Sequence, residues 1–269
     1  MIPDLDRVAE LVRALARAEL LPRFARVDRE RKGDGSIVTA ADRAMQARLE
    51  AELGDRWPGF RLLGEEMAAD LQGRLLADPG PGLWLVDPLD GTTNFAAGLP
   101  FFSVSVALLK DGSVALGVVY DPARDECFAG ERGRGVFLNG RALPPPPPAP
   151  PLASGLAVVD FKRLPAELAG RLATHPPYGS QRSLGSVALD WCWLASGRFH
   201  LYLHGRQRLW DYAAGELILR EAGGLSCTLD GEPVSRPLLA GRSAAAARDP
   251  GLFAAWRRWL GIPHAPVGS

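Results

Sequence analysis

Residues 84–95 read WLVDPLDGTTNF, an apolar run that ends in a crowded polar turn. The turn places Asp87 and Asp90 three residues apart. Two carboxylates about 4 Å apart repel by roughly 4 kcal/mol at an effective dielectric constant of about 20. A divalent cation would turn this repulsion into attraction, and Mg²⁺ prefers carboxylate and carbonyl oxygens as ligands. The spacing therefore indicates a metal site, although a calcium loop, a simple turn or helix capping by Asp90 fits the same residues.

The residues that follow the second aspartate suit a phosphate group. Gly91 lets the backbone approach a ligand closely. Gly91, Thr92 and Thr93 would offer N–H groups at a helix start, where anions bind. The Thr92 hydroxyl is placed to orient a water molecule, and Pro88 fixes its own φ angle and aims the Leu89 carbonyl inward. These features predict a metal-assisted phosphate site.

Three further acidic residues stand next to predicted elements. Glu65 and Glu66 follow a short strand, and Asp211 opens a helix far along the chain. Because aspartate is a favoured N-cap residue, capping alone accounts for Asp211 as well as a ligand role does.

Composition excludes several classes of function. The 269 residues carry 31 basic and 31 acidic side chains, so the chain lacks a basic footprint for nucleic acid or an anionic membrane surface. Cys127, Cys192 and Cys227 show no CxxC spacing, which predicts buried thiols rather than a zinc site or disulfides. The sequence shows neither the apolar core of a signal peptide nor an apolar run of membrane-spanning length. We therefore expect a cytoplasmic protein with no membrane partner.

Hydrophobic periodicity predicts a mixed chain of helices and strands. Helices are expected at 4–26, 39–53, 164–173, 184–196, 211–224 and 250–260. Strands are expected at 60–63, 82–86, 101–109, 113–120, 126–130, 155–160, 199–203, 225–229 and 237–241. The runs between 101 and 130 are typical of antiparallel hairpins. The pattern indicates an α+β fold of stacked sheets and helices.

A proline-rich stretch, PPPPPAPP at 144–151, divides the chain. Because proline has no N–H to donate, the stretch cannot form a helix or an internal strand. We expect an extended polyproline II spacer, although an SH3-type ligand fits the same composition. The single domain, 1–269, would then consist of an N-terminal half, 1–143, with the predicted metal and phosphate groups, and a C-terminal half, 152–269.

The sequence resembles the inositol monophosphatase family, part of the lithium-sensitive, magnesium-dependent phosphatase superfamily that includes fructose-1,6-bisphosphatase. The matching motifs are GEE at 64–66, WLVDPLDGTTNF at 84–95 and WDYAAGELILREAGG at 210–224, in the family's order and spacing. DGSIVTAAD at 34–42 and GVVYDPARDECFAGERGRGVFLNG at 117–140 extend the similarity to nearly the whole chain. The resemblance implies a layered αβαβα sandwich, a homodimer and inhibition by lithium.

The resemblance also implies roles for individual residues. The ligands of two or three Mg²⁺ ions would be Glu65, Asp87, the Leu89 carbonyl, Asp90 and Asp211. The catalytic residues would be Glu65, Thr92 and Asp87, with a metal-activated water, oriented by Thr92 and Glu65, attacking phosphorus in line. Glu66 would orient a ligand or a water molecule. Thr39 and Asp42 either support the metal-site loop or act only as a capping box.

The implied substrate contacts include one departure from the family pattern. They are Asp90, Gly91, Thr92, Gly185, Ser186, Val187, His204 and Asp211. His204 stands seven residues before Asp211, where inositol-cleaving members carry a glutamate. Histidine cannot reproduce the two-oxygen acceptance of vicinal hydroxyls by a carboxylate. Either His204 lies at the tip of an exposed turn, or the substrate differs from inositol monophosphate and, with Arg206 and Arg208 nearby, carries a second anionic group.

The function expected from the resemblance is hydrolysis of a small polyol, sugar or nucleotide phosphate, as in inositol-1-phosphatases. Alternative substrates are 3′-phosphoadenosine phosphate, NADP, histidinol phosphate and fructose bisphosphate. A family member with a mainly regulatory binding role is a further alternative.

Overall fold

The computed structural model describes residues 2–26, 30–31 and 37–263, so positions 34–36 of the motif at 34–42 lie outside it. The helices are α1 Leu5–Glu19, α2 Ala40–Arg56, α3 Ala69–Ala77, α4 Thr92–Ala97, α5 Ala166–Thr174, α6 Val187–Ala195, α7 Leu209–Glu221 and α8 Pro250–Leu260. The strands are β1 Glu30–Arg31, β2 Ile37–Val38, β3 Arg61–Gly64, β4 Leu83–Asp90, β5 Ser103–Lys110, β6 Ser113–Asp121, β7 Glu126–Glu131, β8 Gly135–Leu138, β9 Arg141–Ala142, β10 Leu156–Asp160, β11 Ser180–Arg182, β12 Leu201–Gln207, β13 Leu225–Cys227 and β14 Arg242–Ala247.

Two large sheets and three helical layers make up the fold. One sheet has the order β3-β4-β5-β6-β7-β8-β9, and the other has the order β11-β10-β12-β14-β13. Helices α1 and α2 cover the first sheet, α6 and α7 lie between the sheets, and α8 covers the second sheet. The expected αβαβα sandwich is confirmed.

Strand β5 shows why the central strands read as continuous apolar runs. Val104, Val106 and Leu108 pack beneath α1 and α2, whereas Ala107 and Leu109 belong to the core on the α7 side. Successive side chains of a strand point to opposite faces, and both faces of this sheet are covered by helices. The predicted hairpins between 101 and 130 are confirmed as β5, β6 and β7, which pair antiparallel.

Helix α2 begins at the predicted capping box. The Thr39 side chain accepts a hydrogen bond from the Ala41 backbone N–H, and the Asp42 carboxylate accepts one from the Thr39 backbone N–H. Two N–H groups at the helix start are thereby satisfied. Met45 and Leu49 of this helix are fully buried.

Two elements near the C-terminus differ from expectation. The strand expected at 237–241 is wrong, because the strand is β14, Arg242–Ala247, which pairs with both β12 and β13. Its alanines are poor strand formers, and only their burial between neighbouring strands favours the extended form. The first helix, expected to reach residue 26, ends at Glu19 and is followed by a 3₁₀ turn at Leu21–Arg23.

The proline-rich segment packs against its own chain. Residues 144–151 have no regular helix or strand, as expected, and Pro146 lies so close to Gly197 that a Cβ at 197 would be 2.6 Å from its Cβ. An extended connection agrees with this packing. The division of the chain into two halves at this segment stays a prediction.

The predicted burial of the three cysteines is confirmed, because all three are buried free thiols. In the described part of the chain, no helix is both long and apolar enough to cross a membrane.

Two glycines allow α7 to pack closely between the sheets. A Cβ at Gly215, within α7, would lie 2.4 Å from the Trp191 Cβ, and one at Gly117 would lie 2.8 Å from the Cα of Ala214. Real Cβ atoms do not approach so closely, so both positions require glycine. This close packing brings the N-terminal end of α7, with Asp211, toward the first sheet.

We predict that Gly215→Ala lowers the free energy of unfolding by roughly 1–3 kcal/mol, because overpacking forces α6 and α7 apart. The matched control is Gly170→Ala in α5, where nothing lies within 4 Å of the added Cβ. That control should gain up to about 1 kcal/mol from helix propensity. Urea unfolding measures both changes, and an unchanged midpoint for Gly215→Ala contradicts the packing argument.

Candidate active site

Asp87 and Asp90 lie where the ladder of β4 is interrupted. Strand β4 pairs antiparallel with β5, and the register shifts between these two aspartates. Pro88, between them, has no N–H to give to the ladder. The strand therefore continues through Asp90 rather than ending at Asp87, and both carboxylates are almost fully buried.

The turn after β3 is fixed beside this interruption. The Glu65 backbone N–H donates to the Val86 carbonyl at 3.1 Å, which places the turn next to Asp87. The Glu66 N–H donates to Gln46 Oε1 at 3.2 Å, and Gln72 Nε2 donates to the Glu65 carbonyl at 3.2 Å. These contacts hold the backbone that carries both glutamates.

Backbone amides orient two of the carboxylates. Asp87 Oδ1 accepts a hydrogen bond from the Leu89 N–H at 3.0 Å. Asp211 Oδ2 accepts one from the Arg208 N–H at 2.8 Å. Asp211 is not the N-cap residue, because α7 begins at Leu209 after the N-cap Arg208; Asp211 is the third residue of the helix, and its carboxylate accepts from the N-cap amide. A carboxylate has about four lone pairs, so capping leaves Asp211 with acceptor capacity for a cation.

Ser186 orients Asp90. The Ser186 hydroxyl donates to Asp90 Oδ2 at 2.6 Å, and the Ala188 N–H donates to the same oxygen at 2.8 Å. Ser186 is fully buried, so its side chain contacts the carboxylate and not the solvent-facing side of the loop. The neighbouring Gly185 is exposed and Val187 is half-buried, and their substrate contacts stay predictions.

The four predicted metal-ligand carboxylates interact through their charges. Burial raises the pKa of Asp87 well above its ordinary value, and the charges of Glu65, Asp90 and Asp211 raise it further. Burial also raises the pKa of Asp90, to about 6, against hydrogen bonds that lower it. Burial, followed by the charges of Asp90 and Glu65, raises the pKa of Asp211 well above its ordinary value. The structure therefore brings the sequence-predicted set together.

The donor chemistry of this cluster fits Mg²⁺. The cluster offers carboxylate oxygens and the Leu89 carbonyl, which are hard ligands, and no thiol or imidazole. Within residues 2–26, 30–31 and 37–263, no three Asp, Glu, His or Cys side chains form a ready coordination sphere. The ligand assignment thus rests on the convergence and chemistry of the carboxylates and stays a prediction.

Thr92 connects the turn at 91–93, the predicted phosphate-binding turn, to α2. Its hydroxyl lies 3.0 Å from Asp42 Oδ1 and 2.9 Å from the Leu89 carbonyl, and its one proton can go to only one of them. Thr39 N–H and Oγ1 both donate to Asp42 Oδ2. Asp42 therefore serves as a capping residue and also contacts the site. The motif around Thr39 is the sequence signal, but it does not reveal the Thr92 contact.

The conformation of the turn at 91–93 depends on Gly91, and Asn94 fixes the position of α4. Gly91 has φ +87° and directly precedes α4, and a Cβ there would lie 3.0 Å from the Phe101 carbonyl. Asn94 Nδ2 donates to the Leu184 carbonyl at 2.7 Å, which joins α4 to the loop before α6. No local sequence pattern indicates the partner of Asn94, so sequence reasoning missed this residue.

His204 does not lie on an exposed turn, so that alternative is wrong. It is 2 % exposed and belongs to β12, directly opposite Asp160 of the parallel strand β10. Its Nδ1 accepts a hydrogen bond from the Arg206 N–H at 3.1 Å, and its Nε2 lies 3.2 Å from Asp160 Oδ2. Both ring nitrogens thus have protein neighbours, and a direct contact with substrate stays a prediction.

Comparison with known proteins gives a consistent result. The model of the inositol monophosphatase family matches residues 4–258. An inositol-1-monophosphatase of Mesorhizobium japonicum is 37% identical over 214 residues, covering 74% of this chain and 75% of the relative. The Nus factor SuhB of Haemophilus influenzae is 38% identical over 208 residues, covering 76% of each. The structure of a Thermotoga maritima IMPase superposes with a TM-score of 0.81 at 30% identity, covering 95% of both chains.

We predict that Asp211→Asn stabilises the protein when a chelator is present. Folding raises the pKa of Asp211, so the protonated side chain does not oppose folding below about pH 4, the unfolded value. This stability is lost as pH rises through the folded value, because the buried carboxyl group then ionises. The stability advantage of the variant should therefore grow as pH rises from about 4 to neutrality, as measured by thermal unfolding. Mg²⁺ should raise the wild-type midpoint more than that of the variant.

The matched control for this prediction is Asp111→Asn. Asp111 is exposed and has φ +52°, a conformation that asparagine tolerates. This control should behave like the wild type at every pH. An Asp211→Asn variant that is less stable than the wild type in chelator contradicts the repulsion argument.

Proposed function

The chain belongs to the inositol monophosphatase family, whose members are phosphoric monoester hydrolases, and on this premise we propose that it uses Mg²⁺ to hydrolyse the phosphate monoester of a small polyol, sugar or nucleotide. The observation that supports this most strongly is the convergence of four acidic residues from three separate segments. Burying like charges together is costly, so a group of this kind is typical of a site that binds a cation.

The proposed ligands are Glu65, Asp87, the Leu89 carbonyl, Asp90 and Asp211, for two or three ions. Bound Mg²⁺ supplies Lewis acidity, which lowers the pKa of water and stabilises charge on the leaving oxygen. The protein contributes the fixed directions of the oxygens, since backbone amides hold Asp87 and Asp211 and the Ser186 hydroxyl holds Asp90. Fixed ligands need no rearrangement during the reaction.

Thr92 and Asp42 are proposed to orient the attacking water. When the Thr92 hydroxyl donates to Asp42, its lone pairs are free to accept a hydrogen bond from water. The Leu89 carbonyl then keeps its acceptor capacity for a cation. Glu65 is the second proposed water-orienting group, and the Gly91 and Thr92 amides at the start of α4 are proposed to hold the phosphate.

The substrate proposal starts from inositol 1-phosphate and extends to the alternatives 3′-phosphoadenosine phosphate, NADP, histidinol phosphate and fructose bisphosphate. Its support is a relative named inositol-1-monophosphatase at 37% identity. The family resemblance further supports the proposals of a homodimer and of inhibition by lithium, and a cytoplasmic location is proposed with them.

A mainly regulatory binding role is the second candidate. One specific observation favours it, namely that a relative 38% identical to this chain is named Nus factor SuhB rather than for a phosphatase activity. The predicted metal ligands are all present here, which favours catalysis, but a catalytic site does not exclude a binding role.

We predict that Asp90→Asn reduces phosphate release to background, because it removes the negative charge of a proposed Mg²⁺ ligand. A colorimetric screen with the five substrates, with and without Mg²⁺, gives the measurement. The control is Asp111→Asn, which should keep wild-type activity. No release by the wild type from any substrate contradicts the proposed function, and full activity of Asp90→Asn contradicts the ligand assignment.

We predict that Thr92→Val lowers kcat by roughly 10²-fold or more, because the hydroxyl that orients water is lost. Thr92→Ser keeps the hydroxyl and should retain most of kcat, so the pair separates chemistry from packing. Steady-state kinetics with the best substrate of the screen measures both variants. If valine and serine have equal effects, the hydroxyl has no catalytic part.

A further inference from the structure

The second sheet presents the carboxyl ends of three parallel strands at one edge. Strands β10, β11 and β12 are parallel, so the segments that follow them leave the sheet on the same side. The loop with Gly185–Val187 follows β11, and α7 with Asp211 follows β12. In open α/β sheets, ligands bind outside the carboxyl ends of the strands. The segment that follows β10, the 3₁₀ turn Phe161–Arg163, therefore lies at the same edge as the proposed substrate contacts.

Arg163 is held at this edge by its backbone and by its side chain. Gly205 of β12 lies so close to the Arg163 carbonyl that a Cβ at 205 would be 1.8 Å from that oxygen. The Arg163 Nη1 donates to Asp160 Oδ2 at 2.5 Å, and the Lys162 N–H donates to Asp160 Oδ1 at 3.2 Å. The position of the arginine is thereby fixed, while its side chain remains 44% exposed.

His204 completes the arrangement from the buried side. Because its Nδ1 accepts a hydrogen bond from the Arg206 N–H, the proton of the neutral ring is on Nε2. That nitrogen is 3.2 Å from Asp160 Oδ2 but makes no hydrogen bond of good geometry to it, so the attraction is mainly electrostatic. The contacts with His204 and Arg163 lower the pKa of Asp160, against partial burial that raises it. Asp160 is thus an ionised link between a buried histidine and an exposed arginine.

We propose that Arg163 binds a second anionic group of the substrate, and that Asp160 and His204 are positioning residues for it. The inference rests on the proposed phosphatase function and narrows its substrate class to phosphate monoesters that carry another phosphate. Arginine suits this part because its planar fork offers several donors to phosphate oxygens, and only Nη1 is used by Asp160.

The electrostatics of the edge agree with this assignment. Arg163 follows β10 and the proposed metal ligand Asp211 follows β12, so both residues lie at the same edge of the sheet. Burial lowers the pKa of His204, and the charges of Arg163 and Lys162 lower it further. A histidine at position 204 offers no carboxylate to a substrate. The Asp160 carboxylate already contacts the Lys162 N–H, the Arg163 guanidinium and the His204 ring. The edge therefore favours an anion over a ring of neutral hydroxyls.

The test compares two substrates that differ by one phosphate, adenosine 3′-phosphate and adenosine 3′,5′-bisphosphate. The wild type should have the higher kcat/KM for the bisphosphate, and Arg163→Ala should lower the ratio of the two kcat/KM values by roughly tenfold, as expected for a half-exposed charged contact. Arg163→Lys should lose only part of the preference. Asp160→Asn should raise KM for the bisphosphate while kcat stays near the wild-type value, which a general loss of structure would not do.

Arg141→Ala is the charge-matched control, because Arg141 is exposed on β9 at the edge of the other sheet. It should leave the ratio unchanged. Equal losses for both nucleotides in Arg163→Ala, or a wild-type preference for the monophosphate, overturn the inference.

Calorimetric binding of both nucleotides with Mg²⁺ separates this inference from the proposed function. If neither nucleotide releases phosphate, the function fails in this test. Tighter binding of the bisphosphate that Arg163→Ala weakens still supports the role of Arg163, whereas equal binding of both nucleotides overturns it.

Discussion

Four acidic side chains lie close enough to repel one another, and the fold must hold each of them in place. Burial raises the pKa values of Asp87, Asp90 and Asp211, and the negative charge of Glu65 raises each of them further. Such a group stays together only where other interactions fix each member, because burying like charges opposes folding. The ordered backbone around each carboxylate is therefore a requirement of the site.

The layered architecture supplies that order. The interruption of β4 presents Asp87 and Asp90, the turn after β3 presents Glu65, and the close packing of α7 presents Asp211. Each comes from a segment whose position depends on a well-packed sheet or helix layer. Sites built on such rigid elements hold their geometry more precisely than sites on loops.

The proposed substrate edge, with Asp160, Arg163 and His204, balances its charges differently from the cluster of four carboxylates. There, an acidic residue is surrounded by partners of opposite or neutral charge, with His204 behind Asp160 and Arg163 in front of it. These contacts hold the Arg163 guanidinium in a half-exposed position without requiring a bound cation. The two regions meet along the carboxyl ends of the parallel strands, because Arg163 follows β10 and Asp211 follows β12.

Local patterns in the sequence were sufficient for the hairpins, the capping box at Thr39, the buried cysteines and the family motifs, because each depends on neighbours along the chain. They were insufficient for β14, whose alanines are extended only because strands flank them on both sides. The contacts of Asp42 with Thr92 and of Ser186 with Asp90 join residues 50 and 96 positions apart. Partners so distant meet only when the layers pack, and the same packing made His204 a buried neighbour of Asp160 instead of the tip of a turn.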